Sequence, residues 1–196
     1  MTLEEIKLEE EIFEQNIESL EFEPDSIKEK SFASCTFTTC KFEKTNLTDT
    51  DFEDCTFKNC ELTICNLNAT TLSDCTFEDC RLMGLDFSSI NSLCFSPTFT
   101  STMLDSCIFF KNRLKKINFT ECTLRNCDFS SCSLIEMSFT QTRFQNTSFN
   151  ENDMNKSDFT TASGYEINPY NNKVKGAYFS MPEVVSFLHF LGIKIV

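Results

Sequence analysis

The sequence predicts an all-β coil of short sides, about 20 residues to the turn, closed by a helix at its C-terminal end. Three observations carry this. A large apolar residue recurs every five positions from Ile12 to Phe159, a small residue stands two places before most of them, and the pattern stops where helix signals begin. A period of five belongs neither to an α-helix, at 3.6, nor to an amphipathic strand, at 2. Turning one large and one small residue inward at every repeat leaves three to face water. The compact solution is a four-sided coil whose turns pair as parallel strands about 4.8 Å apart.

Residues 1–11 are a Glu-rich lead-in whose apolar points, Leu3, Ile6 and Leu8, suit either a short helix or an irregular strand. Residues 12–164 are the repeat. Its clearest stretch, Ser31–Cys60, reads SFASC TFTTC KFEKT NLTDT DFEDC TFKNC, with Phe or Leu second in every block. The phase holds to Phe87, slips by two, and resumes at Phe99; residues 88–98, with Pro97 as punctuator, hold the insertion. Counting back five from Phe99 places Cys94 in the central slot there. Residues 165–196 form a cap. Ser180-Met181-Pro182-Glu183 reads as a capping box for a helix over 181–191, Gly192 as its stop, and Ile193–Val196 as a short strand. On an α-helical wheel Met181, Val184, Val185, Leu188 and Leu191 share a stripe that covers the last coil. Phe187 and Phe190 lie on another side and suit a homodimer through the C-terminal helix.

The blocks resemble the pentapeptide-repeat family, whose pattern is small–polar–Leu/Phe–polar–variable. The resemblance implies a right-handed quadrilateral parallel β-helix. The Glu-Ile-Asn-Pro and Leu-Gly-Ile elements of the cap are similar to the C-terminal module of quinolone-resistance and microcin-immunity members, which joins two rods end to end. Those relatives imply a partner, DNA gyrase or topoisomerase IV, protected from a quinolone or a peptide toxin by DNA-like shape and charge. The alternative is a structural or adaptor rod for another protein.

Composition narrows the function classes. The formal net charge is −13, so direct binding to nucleic acid or to an anionic membrane is not expected. Residues 1–98 hold 21 acidic and 7 basic side chains, a net of −14, and residues 99–196 hold 9 and 10, a net of +1. No apolar run reaches transmembrane length. The acidic start, MTLEEIKLEEEIFE, is unlike a basic signal peptide, so the 12 cysteines read as free thiols in a reducing cytoplasm.

Eleven of those cysteines occupy the small slot two before a centre. Stacking by 20 residues puts Cys35, Cys55 and Cys75 in one column and Cys40, Cys60 and Cys80 in another. Their C-x4-C spacing on separate corners is not that of a zinc site, so they read as small buried hydrophobes, and no metal or cofactor is expected. Catalysis has no footing either: His189 is the sole histidine, and four scattered glycines cannot build a phosphate loop. The chain is expected not to be an enzyme. The candidate contact surface is the acidic half, with Asp51, Glu53, Asp54 and Asp74 on one side and Asp49 nearby. Glu78 and Asp79 fall on the next side, and Glu21, Glu23, Glu43 and Glu61 on the one after. Solubility and partner binding both explain such a surface. Ile90, Leu93 and Phe95 are the apolar contacts if the insertion acts, and it equally suits a plain bulge.

Overall fold

A computed structural model describes residues 1–112, 114 and 117–193. The chain is a parallel β-solenoid with four faces. Three-residue strands stack in register at intervals of 20. The first face stacks Glu11–Phe13, Ser31–Ala33, Asp51–Glu53 and Thr71–Ser73. The second runs from Asn16–Glu18 to Asn118–Thr120 in six strands, and the third from Glu21–Phe22 to Arg143–Gln145 in seven. The fourth is held by single bridges such as Asn46 to Asn66, and by the pair Asp128–Ser130 and Ser148–Asn150.

Every strand buries its middle residue and turns its neighbours outward, which is the alternation of a pleated strand reduced to one inward side chain. The inward rings form columns. On the second face Phe37, Phe57, Phe77, Phe99, Phe119, Phe139, Phe159 and Phe179 stack face to face with centroids 4.7–5.8 Å apart. Rings from adjacent faces meet edge-on, as Phe109 and Phe119 do at 5.9 Å and 89°. Stacked and T-shaped contacts are the two arrangements that ring quadrupoles favour. One repeated residue therefore serves both packing directions.

Most corners bend through a residue in the left-handed region, two places after the centre. Glu14, Ser34, Lys44, Asp54, Ile64 and Ala69 all have φ between 51° and 55°. For residues with a Cβ this costs about 1–2 kcal/mol each. The same residues donate their N–H to the following coil (Glu14 to the Ala33 carbonyl, Ser34 to Glu53, Asp54 to Ser73, each 2.9 Å), and these cross-coil bonds offset the strain.

The insertion is absorbed on the first face alone. Phe77 pairs with Phe99 and Leu82 with Leu104, so the second and third faces pass the slip unbroken. Cys94 does not fill the central slot. It is exposed, and Phe95 is buried with its ring 5.5 Å from that of Phe87. A thiol is too small to fill the slot that follows Leu72 and adjoins Phe87, and a one-residue shift brings a ring to the gap.

Both ends are plugged. Leu3–Leu8 is a helix with a reciprocal capping box, Glu5 N–H to Thr2 Oγ1 at 3.3 Å and Thr2 N–H to Glu5 Oε2 at 2.8 Å, and its Ile6 is fully buried over the first coil. At the other end the repeat breaks at Gly164, with φ +72°. Any Cβ there would meet the Phe144 carbonyl oxygen at 2.3 Å, so the chain bends tightly and Tyr165 enters the core beside Phe159. The C-terminal helix is a 3-10 helix, Glu183–Leu191, and Ser180 gives it no side-chain cap. At three residues per turn the stripes differ from the α-helical ones. Phe187 packs edge-on to Phe179 at 4.7 Å, whereas Met181, Leu188 and Leu191 are exposed. Gly192 ends the helix in the left-handed region as expected, and the strand read at Ile193–Val196 falls mostly outside the described residues.

Candidate functional site

The four faces differ sharply in charge. From Glu11 to Asp74 the first face carries Glu11, Glu14, Asp51, Glu53, Asp54 and Asp74 with no lysine or arginine among them. The other faces mix signs. On the second, Lys58 Nζ lies 3.1 Å from Glu78 Oε2; on the third, Lys41 Nζ lies 2.9 Å from Glu21 Oε1, with Lys44 and Arg81 beside Glu43 and Glu61. Exposed pairs of this kind add little stability, but they cancel part of the local charge.

The acidic residues singled out by sequence are therefore not one surface. Asp51, Glu53, Asp54 and Asp74 are brought together on the first face. Asp49, at the corner leading into it, shares an open groove with Asp51, Asn68 and Asn91. Glu78 and Asp79 stand one face away, and Glu43 and Glu61 two faces away among cations. Sequence reading missed Glu11, Glu14 and the half-exposed Phe13 on the same first face. The 20-residue spacing of Glu11, Ser31 and Asp51 was the signal for them.

The insertion lies at the end of that acidic strip. Ser96 Oγ donates to Asp74 Oδ1 at 2.9 Å, and the Asp74 N–H donates to Ser96 Oγ at 2.9 Å, which pins the returning arm of the loop. Of the three apolar contacts expected there, Ile90 and Phe95 are buried in the core, because their side chains fill the small and central slots. Leu93 alone projects, 94% exposed. The expected dimer pair also divides. Phe187 belongs to the cap's own packing, while Phe190 is exposed beside Leu188 and Leu191.

The buried thiols have a role beyond filling. Each donates to the carbonyl of the central residue one coil back: Cys35 to Ile12 at 3.5 Å, Cys60 to Phe37 at 3.3 Å, Cys127 to Leu104 at 3.5 Å. Thr70, Asn172 and Ser157 do the same from the same slot, so it selects a small donor. The neighbouring Cys55 side chain holds the Cys35 thiol below its ordinary value, and burial pushes Cys75 up to about 12. His189 lies three residues from Ser186, but the Ser186 hydroxyl is committed to the Glu183 carbonyl at 2.8 Å, and no nucleophile–base pair forms. Among the described residues, no group of three or more His, Cys, Asp or Glu side chains is placed to hold a metal, and no helix is long and apolar enough to cross a membrane.

Comparison with known proteins agrees with this geometry. A trypsin-treated variant of QnrB1, described as a plasmid-mediated fluoroquinolone resistance protein, has the same fold with a TM-score of 0.61 at 16% identity, covering 95% of this chain and 100% of that one. HetL, a pentapeptide repeat protein involved in heterocyst differentiation regulation in the cyanobacterium Nostoc, matches with a TM-score of 0.51 at 11% identity over 87% of each chain. No curated protein sequence matches. The sequence itself matches the family described as pentapeptide repeat region over residues 30–102 and the family described as pentapeptide repeats (8 copies) over 107–145 and 127–163. With the repeat, the four-faced coil and these matches in agreement, the chain belongs to the pentapeptide-repeat family.

Proposed function

We propose that the protein is a non-catalytic binding rod that occupies the DNA-binding surface of a type II topoisomerase, DNA gyrase or topoisomerase IV, and protects it from a quinolone or a peptide toxin. The observation that carries this reading is the base-free first face. Six carboxylates spread over four coils at about 4.8 Å each give roughly one charge per 3 Å of axis. Duplex DNA presents one per 1.7 Å or so. A cationic groove built for DNA meets a similar potential here on a rod that carries no base edges. On this reading the protein works in the cytoplasm, with protein rather than nucleic acid as its partner.

The test is a gyrase supercoiling assay with ciprofloxacin. Added protein restores supercoiling in a concentration-dependent way; no rescue at any concentration removes the topoisomerase reading and leaves the adaptor rod. That second reading has an observation of its own, since residues 99–196 carry a net charge of only +1 and extend no acidic surface.

The protein is a homodimer on this reading, joined through the apolar side of the cap where Leu188, Phe190 and Leu191 are exposed. Leu188→Glu with Phe190→Glu yields a monomer by light scattering with the far-UV spectrum of the parent. An unchanged mass rejects this interface. Phe187 is unsuited to the test, because a charge there breaks its contact with Phe179.

A further inference from the structure

Eight of the eleven buried cysteines stand in vertical columns: Cys35–Cys55–Cys75, Cys40–Cys60–Cys80 and Cys107–Cys127. The remaining three have no sulfur above or below. Cys65 stacks between Thr45 and Leu85, Cys122 between Thr102 and Thr142, and Cys132 between Asn112 and Asn152. In the columns the thiols are parallel copies. Cys40, Cys60 and Cys80 donate to the carbonyls of Ile17, Phe37 and Phe57 at 3.4, 3.3 and 3.2 Å, and the Cys40 and Cys60 N–H groups each meet the sulfur of the next coil at 3.4 Å. Side chains repeated in one conformation place their sulfurs one coil apart, about 4.8 Å.

That spacing discriminates between the chemistries open to a thiol pair. A disulfide needs sulfurs about 2.05 Å apart, so both side chains must leave their hydrogen bonds in a close-packed core. Tetrahedral zinc needs four ligands, and no group of even three is placed for it among the described residues. An ion bound linearly between two thiolates, with metal–sulfur bonds of about 2.3 Å, spans about 4.6 Å and fits with almost no movement. Net charge is costly in an apolar core, so two thiolates call for a divalent ion.

We propose that each thiol column binds one soft divalent ion in linear two-coordinate geometry, the mercuric ion being the fitting class. Two S–H bonds break, two metal–sulfur bonds form, two protons leave to solvent, and nothing is oxidised or reduced. A three-thiol column takes one ion, since a second would have to share the middle sulfur and leave positive charge in the core. The chain therefore takes three ions.

The test titrates mercuric chloride into the full chain carrying Cys94→Ser, which removes the exposed thiol. Bound metal is counted by mass spectrometry after gel filtration, and sulfur neighbours by X-ray absorption. The expected result is three ions per chain, each with two sulfurs. Adding Cys60→Ser leaves Cys40 and Cys80 about 9.6 Å apart, too far to share an ion, and lowers the count to two. Adding Cys122→Ser leaves it at three. Serine is tolerated in this slot, as Ser157 shows. Equal counts for the two variants, one sulfur per ion, or uptake only by chain unfolded in guanidinium overturns the proposal.

Discussion

Phe119→Ala is expected to lower the free energy of unfolding by about 3–5 kcal/mol, the range for emptying a buried phenyl site. Phe119 is fully buried and its ring sits between those of Phe99 and Phe139, at 5.1 and 5.8 Å, with Phe109 and Phe129 edge-on. The void cannot collapse easily, because the coils above and below are fixed by cross-coil bonds such as Ser101 N–H to the Thr120 carbonyl at 2.9 Å. In a solenoid each coil touches only its neighbours, so the damage is a local interface loss in the middle of the rod. The contrasting variant is Cys122→Thr in the next slot. Thr102 and Thr142 stand above and below it in the same column, and Thr142 Oγ1 reaches the Phe119 carbonyl at 3.1 Å. Its cost is expected to stay within about 1 kcal/mol, as a conserved hydrogen bond and similar volume require. Urea denaturation of both variants checks the pair. A loss below about 1 kcal/mol for Phe119→Ala would mean that the ring columns are not what holds the coils together.

The architecture was legible because the period of five is written in large residues. Phe37, Phe57 and Phe77 declare their slot without help from context, and stacking by 20 follows from four sides. Smaller features depended on contacts that one sequence does not display. The corner residues include Lys44, Ile64, Ala69 and Glu121, none of which has a local preference for positive φ, so only the cross-coil bonds of the finished fold explain them. The small slot looked like a size filter, and its hydrogen-bonding role becomes apparent only when Cys, Thr, Ser and Asn are seen reaching the same carbonyl. Cys94 was placed by counting, and the core took Phe95 because volume outweighed register. The cap was read on a 100° wheel, and a 3-10 helix exchanges the roles of Phe187 and Leu188.

The candidate surface was legible in the same uneven way. The acidic excess of residues 1–98 needs only counting. Which face is free of cations needs the register to be carried back past Ile12, and ending the repeat there hid Glu11, whereas Phe13 and Glu14 lay inside the repeat and were simply not carried onto the face they share with Asp51. An unassigned lead-in cannot be placed on a face, although the strand Glu11–Phe13 pairs in register with Ser31–Ala33 like any later coil.

Reversing the first face is expected to abolish protection at concentrations where the parent protein is effective. The triple variant Asp51→Lys, Glu53→Lys, Asp54→Lys turns three adjacent negative charges positive at the centre of the strip. At about 1 kcal/mol per exposed contact, the loss is about 3 kcal/mol, or roughly 100-fold in the protein needed for half-rescue of gyrase. The control triple, Glu21→Lys, Glu43→Lys, Glu61→Lys, changes the net charge by the same amount on the third face, where cations already stand. Its effect is expected to stay within about fivefold and to shrink as salt screens the long-range field. Lys44 occupies a left-handed corner equivalent to Asp54 with φ 53°, so the fold accepts lysine there, and unchanged melting temperatures confirm that only the surface differs. If both triples weaken rescue equally, the protein acts through net charge and no face is its contact surface. If neither does, the acidic half serves solubility, and Leu93 and the cap become the surfaces to probe.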